Sequence, residues 1–214
     1  MVDDRLRSGA QGEFGRPERV VPLWPGQSAP ARCPRGHAFD YGGTRMGWLH
    51  YYDRPSQTCR VCRDLHLPGH TWCRVDPTQQ TLATDPDVPP ASQGLHLVAI
   101  PPETRGGLGQ IALWVEGTRV GQLALRLCGP CRVGVLEHVT VAEEHRRLGY
   151  GRLLIAAGVA RGPGYRWSAP SLGFTPDLVA RAFVAAALPH VVADGDAHRC
   201  TDMRRALGDH NAGL

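Results

Sequence analysis

The stretch from Leu136 to Leu154 constrains this chain more than any other. It opens with alternating strand character, Leu136-Glu137-His138-Val139-Thr140-Val141, crosses a polar turn, and enters an apolar helical run at Gly149 and Gly151. A strand that hands over to a helix leaves main-chain N–H groups without acceptors at the positive end of the helix dipole. Anions bind at such places. Glycines there keep side chains out of a ligand's path to the main chain. Arg146, Arg147 and Arg152 add positive charge nearby. The stretch is no dinucleotide fingerprint, because Leu154 stands where a third glycine is required, and it lacks the Gly-Lys-Ser/Thr of a Walker loop.

The flanks supply a sheet for this loop. Leu95–Ile100 reads as a strand stopped by Pro101-Pro102, Gln110–Val115 as a second, and Val120–Leu127 as a third reached through Glu116-Gly117. Leu123, Leu125 and Leu127 share a face. Cys128-Gly129-Pro130-Cys131 turns into a fourth strand, Val133–Val141, whose Val133, Val135, Val139 and Val141 alternate onto one side. Glu137 falls in that row and His138 on the other side. The Cys-Gly-Pro-Cys lies between period-two segments, which marks a hairpin turn. A redox pair would need to open a helix. Inert thiols, a cross-strand bond, or a second metal site with Cys200 remain open there. Gly151–Ala160 forms a buried helix, Tyr165–Ala169 a fifth strand beside the fourth, and Thr175-Pro176-Asp177 starts a further helix through Leu188. A short helix over Cys200–Leu207 is a weaker expectation.

Ahead of the sheet, Cys33-Pro34-Arg35-Gly36-His37 and Cys59-Arg60-Val61-Cys62 form two knuckles. Three cysteines and a histidine match a closed tetrahedral zinc site, and so short a module needs a metal staple to hold itself. Cys33, His37, Cys59 and Cys62 are the first candidate ligand set. Cys59, Cys62, His70 and Cys73 are the second, which leaves Cys33 and His37 unexplained. Met46–Tyr52 reads as an aromatic strand-like run and Trp72 as a core residue. The expected organisation is a flexible arm over 1–30 with a docking patch at Val20–Trp24, a zinc-binding module over 31–75, a linker over 76–94 and a main domain over 95–214. The zinc module is similar to the treble-clef or zinc-ribbon fingers appended to many bacterial and phage proteins.

Composition narrows the class. The formal charge of +4 is mild; it does not by itself call for nucleic acid but suits a polyanionic cofactor. No run is apolar and long enough to span a bilayer, and no signal-peptide plan opens the chain, so a cytoplasmic protein without membrane partners is expected. In that setting Cys-x-x-Cys pairs point to metal or reduced thiols before disulfides.

The order Val-Ala-Glu-Glu-His-Arg-Arg-Leu-Gly-Tyr-Gly, after a valine-rich strand and before an apolar helix, resembles the Arg-x-x-Gly-x-Gly pyrophosphate loop of the GNAT N-acetyltransferase superfamily. The resemblance implies an α/β (α+β) fold with a mixed, mostly antiparallel sheet whose fourth and fifth strands splay apart. It also implies acetyl-CoA as co-substrate. The pyrophosphate would lie at Arg146, Arg147, Leu148, Gly149, Tyr150, Gly151 and Arg152, and the pantetheine against the main chain at Val139 and Val141. An amine, on a small molecule or a protein, would attack the thioester directly. Glu137 is the implied base, in an apolar row, with His138 second; the competing reading is that Glu137 faces solvent or pairs with an arginine. Two departures stand out. Ala182-Phe183-Val184-Ala185 lacks the tyrosine that many members use as general acid, so no acid is named. Only Pro101–Gly109 stands where the family usually inserts two helices. The acceptor pocket is therefore open, or completed by the zinc module, the arm or another subunit of a homodimer. Nothing in the module shows a basic face, which leaves nucleic acid an unsupported partner.

Overall fold

The computed structural model describes residues 19–23, 31–33, 35–39, 43–67, 70–169 and 199–208. The helix expected from Thr175 to Leu188 lies outside them. Two sheets are present. The first has four strands, β1 (Arg19–Pro22), β2 (Thr44–Leu49), β3 (Arg54–Cys59) and β4 (Thr71–Val75), in the order β1-β4-β3-β2. β1 runs parallel to β4 and the other pairs are antiparallel. A short helix, α1 (Arg60–Asp64), follows β3.

The second sheet has six strands in the order β10-β9-β8-β7-β6-β5. They are β5 (Thr81–Leu82), β6 (Leu95–Ile100), β7 (Leu108–Val115), β8 (Thr118–Cys128), β9 (Val133–Val141) and β10 (Arg166–Ser168). The four central strands are antiparallel, and the outer pairs β5–β6 and β10–β9 are parallel. Helix α2 (Tyr150–Ala160) lies on one face, where Leu153, Leu154, Ile155 and Ala157 pack on Leu97, Ile111, Leu113, Leu123, Leu125 and Leu136. Helix α3 (Thr201–Ala206) lies on the other, where Met203 packs on Cys128, Val133 and Val135. The mixed, sheet-dominated α+β architecture expected from the sequence is the one found.

Three local expectations change. Arg19–Pro22, placed in a flexible arm, form an outer strand, because β4 offers a free edge to Val20 and Val21. Thr81–Leu82, placed in a linker, pair with Val98 and Ala99 at the edge of the larger sheet. The valines of β9 also do not share one side. The register slips between Ala124 and Leu125, pairing Ala124 with His138 and Leu125 with Leu136, so Glu137 is an extra, bulged residue. Before the bulge Val133 and Val135 face α3; after it Val139 and Val141 pack with the α2 cluster.

The two sheets are not separate bodies. Val20, Tyr52, Cys73 and Val75 belong to the same buried cluster as Leu95, Leu123 and Tyr150. Much of the aromatic run faces solvent, with Met46, Trp48 and Tyr51 exposed while Tyr52 is buried. Trp72 is buried and stacks on Phe39, ring centroids 5.6 Å apart, as the core of the small module.

Candidate active site and metal centre

β9 ends at Val141, and a 3-10 turn over Glu143–His145 leads into the glycine loop. Arg147 and Gly149 both adopt positive φ, +68° and +92°, which reverses the chain into α2. Gly149 is the N-cap, and the N–H of Leu153 donates to its carbonyl at 3.0 Å. The main-chain N–H groups of Tyr150, Gly151 and Arg152 precede that bond, and a helix has no internal acceptors for its first donors. Arg146, Arg147 and Arg152 are exposed around them. Arg146 Nε donates to the Val141 carbonyl at 3.2 Å, closing the loop over the end of β9. The loop thus has the donors and charge of an anion site.

Its glycine works differently from the expectation. The side-chain position of Gly149 is taken by the Val20 carbonyl, so what its bareness admits is β1, not a ligand. The Val20 N–H donates to the Leu148 carbonyl at 2.7 Å, fixing the same contact from the other side. Tyr150 offers a ligand only its main chain, since its side chain is buried and its hydroxyl bonds that of Tyr52 at 2.8 Å. Leu148 is half-buried against the core.

Beside the loop, β10 pairs with the first part of β9. Their pairing runs from Arg166–Val133 to Ser168–Val135 and stops there among the described residues. From Leu136 to Val141 the β9 edge therefore has no described strand beside it, directly after the bulge.

Glu137 is not in an apolar row. Its carboxylate accepts from Arg126 Nε at 3.0 Å and from one Arg199 guanidinium nitrogen at 2.7 and 3.0 Å. The competing reading, an arginine partner, is the one observed, twice over. Two guanidinium partners favour the ionised carboxylate and so weaken Glu137 as a proton acceptor. His138 does not point away from Glu137 either. The bulge pairs it with Ala124 on the face opposite Leu123 and Leu125, the side Glu137 uses, and it is exposed.

In the small sheet, Cys33, His37, Cys59 and Cys62 converge, their ligand atoms all within 4.8 Å of one another. Cys33 Sγ and Cys62 Sγ are 3.8 Å apart, and His37 Nδ1 is 3.4 Å from Cys33 Sγ, 3.2 Å from Cys62 Sγ and 3.7 Å from Cys59 Sγ. A tetrahedral ion with Zn–S bonds of about 2.3 Å separates sulfurs by about 3.8 Å. The donor set fits a metal ion. Burial pushes the Cys62 thiol up to about 12; at Cys33 burial is again the largest cause, but hydrogen bonds from the main chain at Arg35 and His37 and from Cys62 and Cys59 together leave the thiol lowered. The second ligand set is overturned: Cys73 is buried in the core shared by the two sheets, and His70 Nδ1 bonds the Leu67 carbonyl at 3.1 Å. Strand β4 points Cys73 away from the knuckles.

Residues 85–174 match the model of the acetyltransferase (GNAT) family. No curated protein matches the chain. Among solved structures, nourseothricin acetyltransferase is 30% identical over 27% of this chain and 36% of its own, TM-score 0.24. A ribosomal-protein-alanine N-acetyltransferase from Brucella melitensis biovar Abortus 2308 is 22% identical over 44% of this chain and 69% of its own, TM-score 0.32. The chain thus aligns with little more than a third of the nourseothricin enzyme. Among the described residues, no helix is long and apolar enough to cross a membrane.

Proposed function

We propose that the chain transfers an acetyl group from acetyl-CoA to an amine acceptor by direct attack. The helix-heading donors of Tyr150, Gly151 and Arg152 at the end of β9, with the exposed Arg146, Arg147 and Arg152 around them, carry this reading. The pantetheine amides bond the main chain at Val139 and Val141, and the pyrophosphate takes the loop amides with Arg146, Arg147 and Arg152 around it. The acceptor nitrogen bonds to the acetyl carbon, the C–S bond breaks, and CoA leaves as the thiolate. The amine's proton goes to His138, the exposed side chain next to the bulge, while Glu137 holds Arg126 and Arg199 in place. Proximity and a β9 N–H facing the developing oxyanion supply the rest. Cys33, His37, Cys59 and Cys62 hold a structural zinc ion; four protein ligands leave it no open position.

The test is release of free CoA thiol from acetyl-CoA with a panel of small amines and N-terminal peptides. His138→Gln is expected to lower kcat by roughly 10²–10⁴-fold with acetyl-CoA affinity unchanged. The two guanidinium partners of Glu137 favour one other reading, an acyl-CoA-binding protein without turnover. Binding of acetyl-CoA with no thiol release from any acceptor would select it.

A further inference from the structure

We propose that Cys128, Cys131 and Cys200 form a second metal site, one that takes a thiophilic divalent cation of the zinc class. The three sulfur atoms lie within 4.8 Å of one another although Cys200 is far along the chain from the other two. Cys128 ends β8 and is fully buried, Cys131 is exposed in the hairpin turn, and Cys200 immediately precedes α3. The Cys128 thiol donates to Asp202 Oδ2 at 3.7 Å, and solvent at the exposed Cys131 side can complete the ligand set.

The arrangement is built, not incidental. Gly106 packs against the main chain of Asp202 and Met203, where an added Cβ would come within 2.8 Å of both residues. Met203 is buried on Val133 and Val135. These contacts bring the third thiol to a turn that already carries two. A disulfide would join two of the sulfurs and leave the third idle. A tetrahedral cation uses all three at a separation of about 3.8 Å and favours thiolates with an oxygen or nitrogen fourth ligand. On binding, each thiol gives its proton to solvent as its sulfur bonds the metal. The site clamps the C-terminal segment to the β8–β9 hairpin, and Arg199, next to Cys200, is thereby held on Glu137 at 2.7 Å.

The experiment is metal stoichiometry of the full chain, reduced and reconstituted anaerobically with zinc, then desalted and measured by plasma mass spectrometry. Two zinc ions per chain are expected. Cys131→Ser with Cys200→Ser should hold one, and Cys59→Ser with Cys62→Ser should also hold one. Cobalt substitution gives a readout independent of those variants. Cobalt in excess of one equivalent should bring a second rise in sulfur-to-cobalt charge-transfer absorbance. Saturation at one equivalent, a Cys131/Cys200 variant that still binds two, or a linkage between two of these cysteines in the freshly purified protein would each overturn the site.

Discussion

The hydroxyls of Tyr52 and Tyr150 meet at 2.8 Å in the buried core, their rings edge to face at 89°. One lies in the 3-10 turn (His50–Tyr52) that joins β2 to β3 of the cysteine-bearing sheet, and the other is the first residue of α2, which follows the anion loop. The small module is therefore part of the wall that shapes that loop. Tyr52→Phe leaves the Tyr150 hydroxyl buried without its partner and should cost about 1–3 kcal/mol. Replacing both with Phe should cost less than the sum of the single changes, as urea denaturation of the three variants would show.

The same pair sets an alkaline limit. Burial pushes both phenols above the ordinary tyrosine value of 10.0. The folded chain keeps them protonated while the unfolded chain loses the protons, so their contribution is full below about pH 10 and falls as pH rises beyond it. Stability between pH 9 and 11 should drop in the native chain and drop less in the double Phe variant.

Removing the metal should reach the loop through this contact. A strong chelator, applied under reducing conditions, should unfold the β1-β4-β3-β2 sheet and weaken acetyl-CoA binding at least tenfold, with recovery on adding zinc. Calorimetric titration before and after chelation measures it.

Gly149 sits at φ +92° with the Val20 carbonyl where a side chain would go. Gly149→Ala therefore meets both backbone strain and a displaced strand, at a cost of roughly 1–3 kcal/mol. The denaturation midpoint should fall accordingly, and limited proteolysis should cut sooner near Arg19.

Much of this was legible in the residues. Apolar runs bounded by turn residues placed β6, β7, β8 and β9. The spacing of the two knuckles ranked Cys33, His37, Cys59 and Cys62 first, and the fold removed the second set by burying Cys73 elsewhere. The bulge at Glu137 was not legible, since an alternating string reads the same with or without one unpaired residue. It reversed the faces of Val133 and Val139 and moved His138 beside Glu137. Long-range partners were equally hidden. Nothing local in Arg199 points to Glu137, and nothing in Val20 points to Gly149.

Glu137 should behave as a structural ion-pair residue. Glu137→Gln abandons two guanidiniums that are mostly buried, which should cost roughly 2–4 kcal/mol. Its effect on kcat should be smaller than that of His138→Gln across pH 6–9, a comparison that separates holding from proton transfer.

The most direct measurement is calorimetric titration of the full chain with acetyl-CoA, beside Arg152→Glu, which reverses a charge at the first turn of α2. Saturable one-to-one binding that weakens at least tenfold in the variant is the expected result. No heat with millimolar acetyl-CoA, or equal affinity in both proteins, would contradict an acyl-CoA site at this loop.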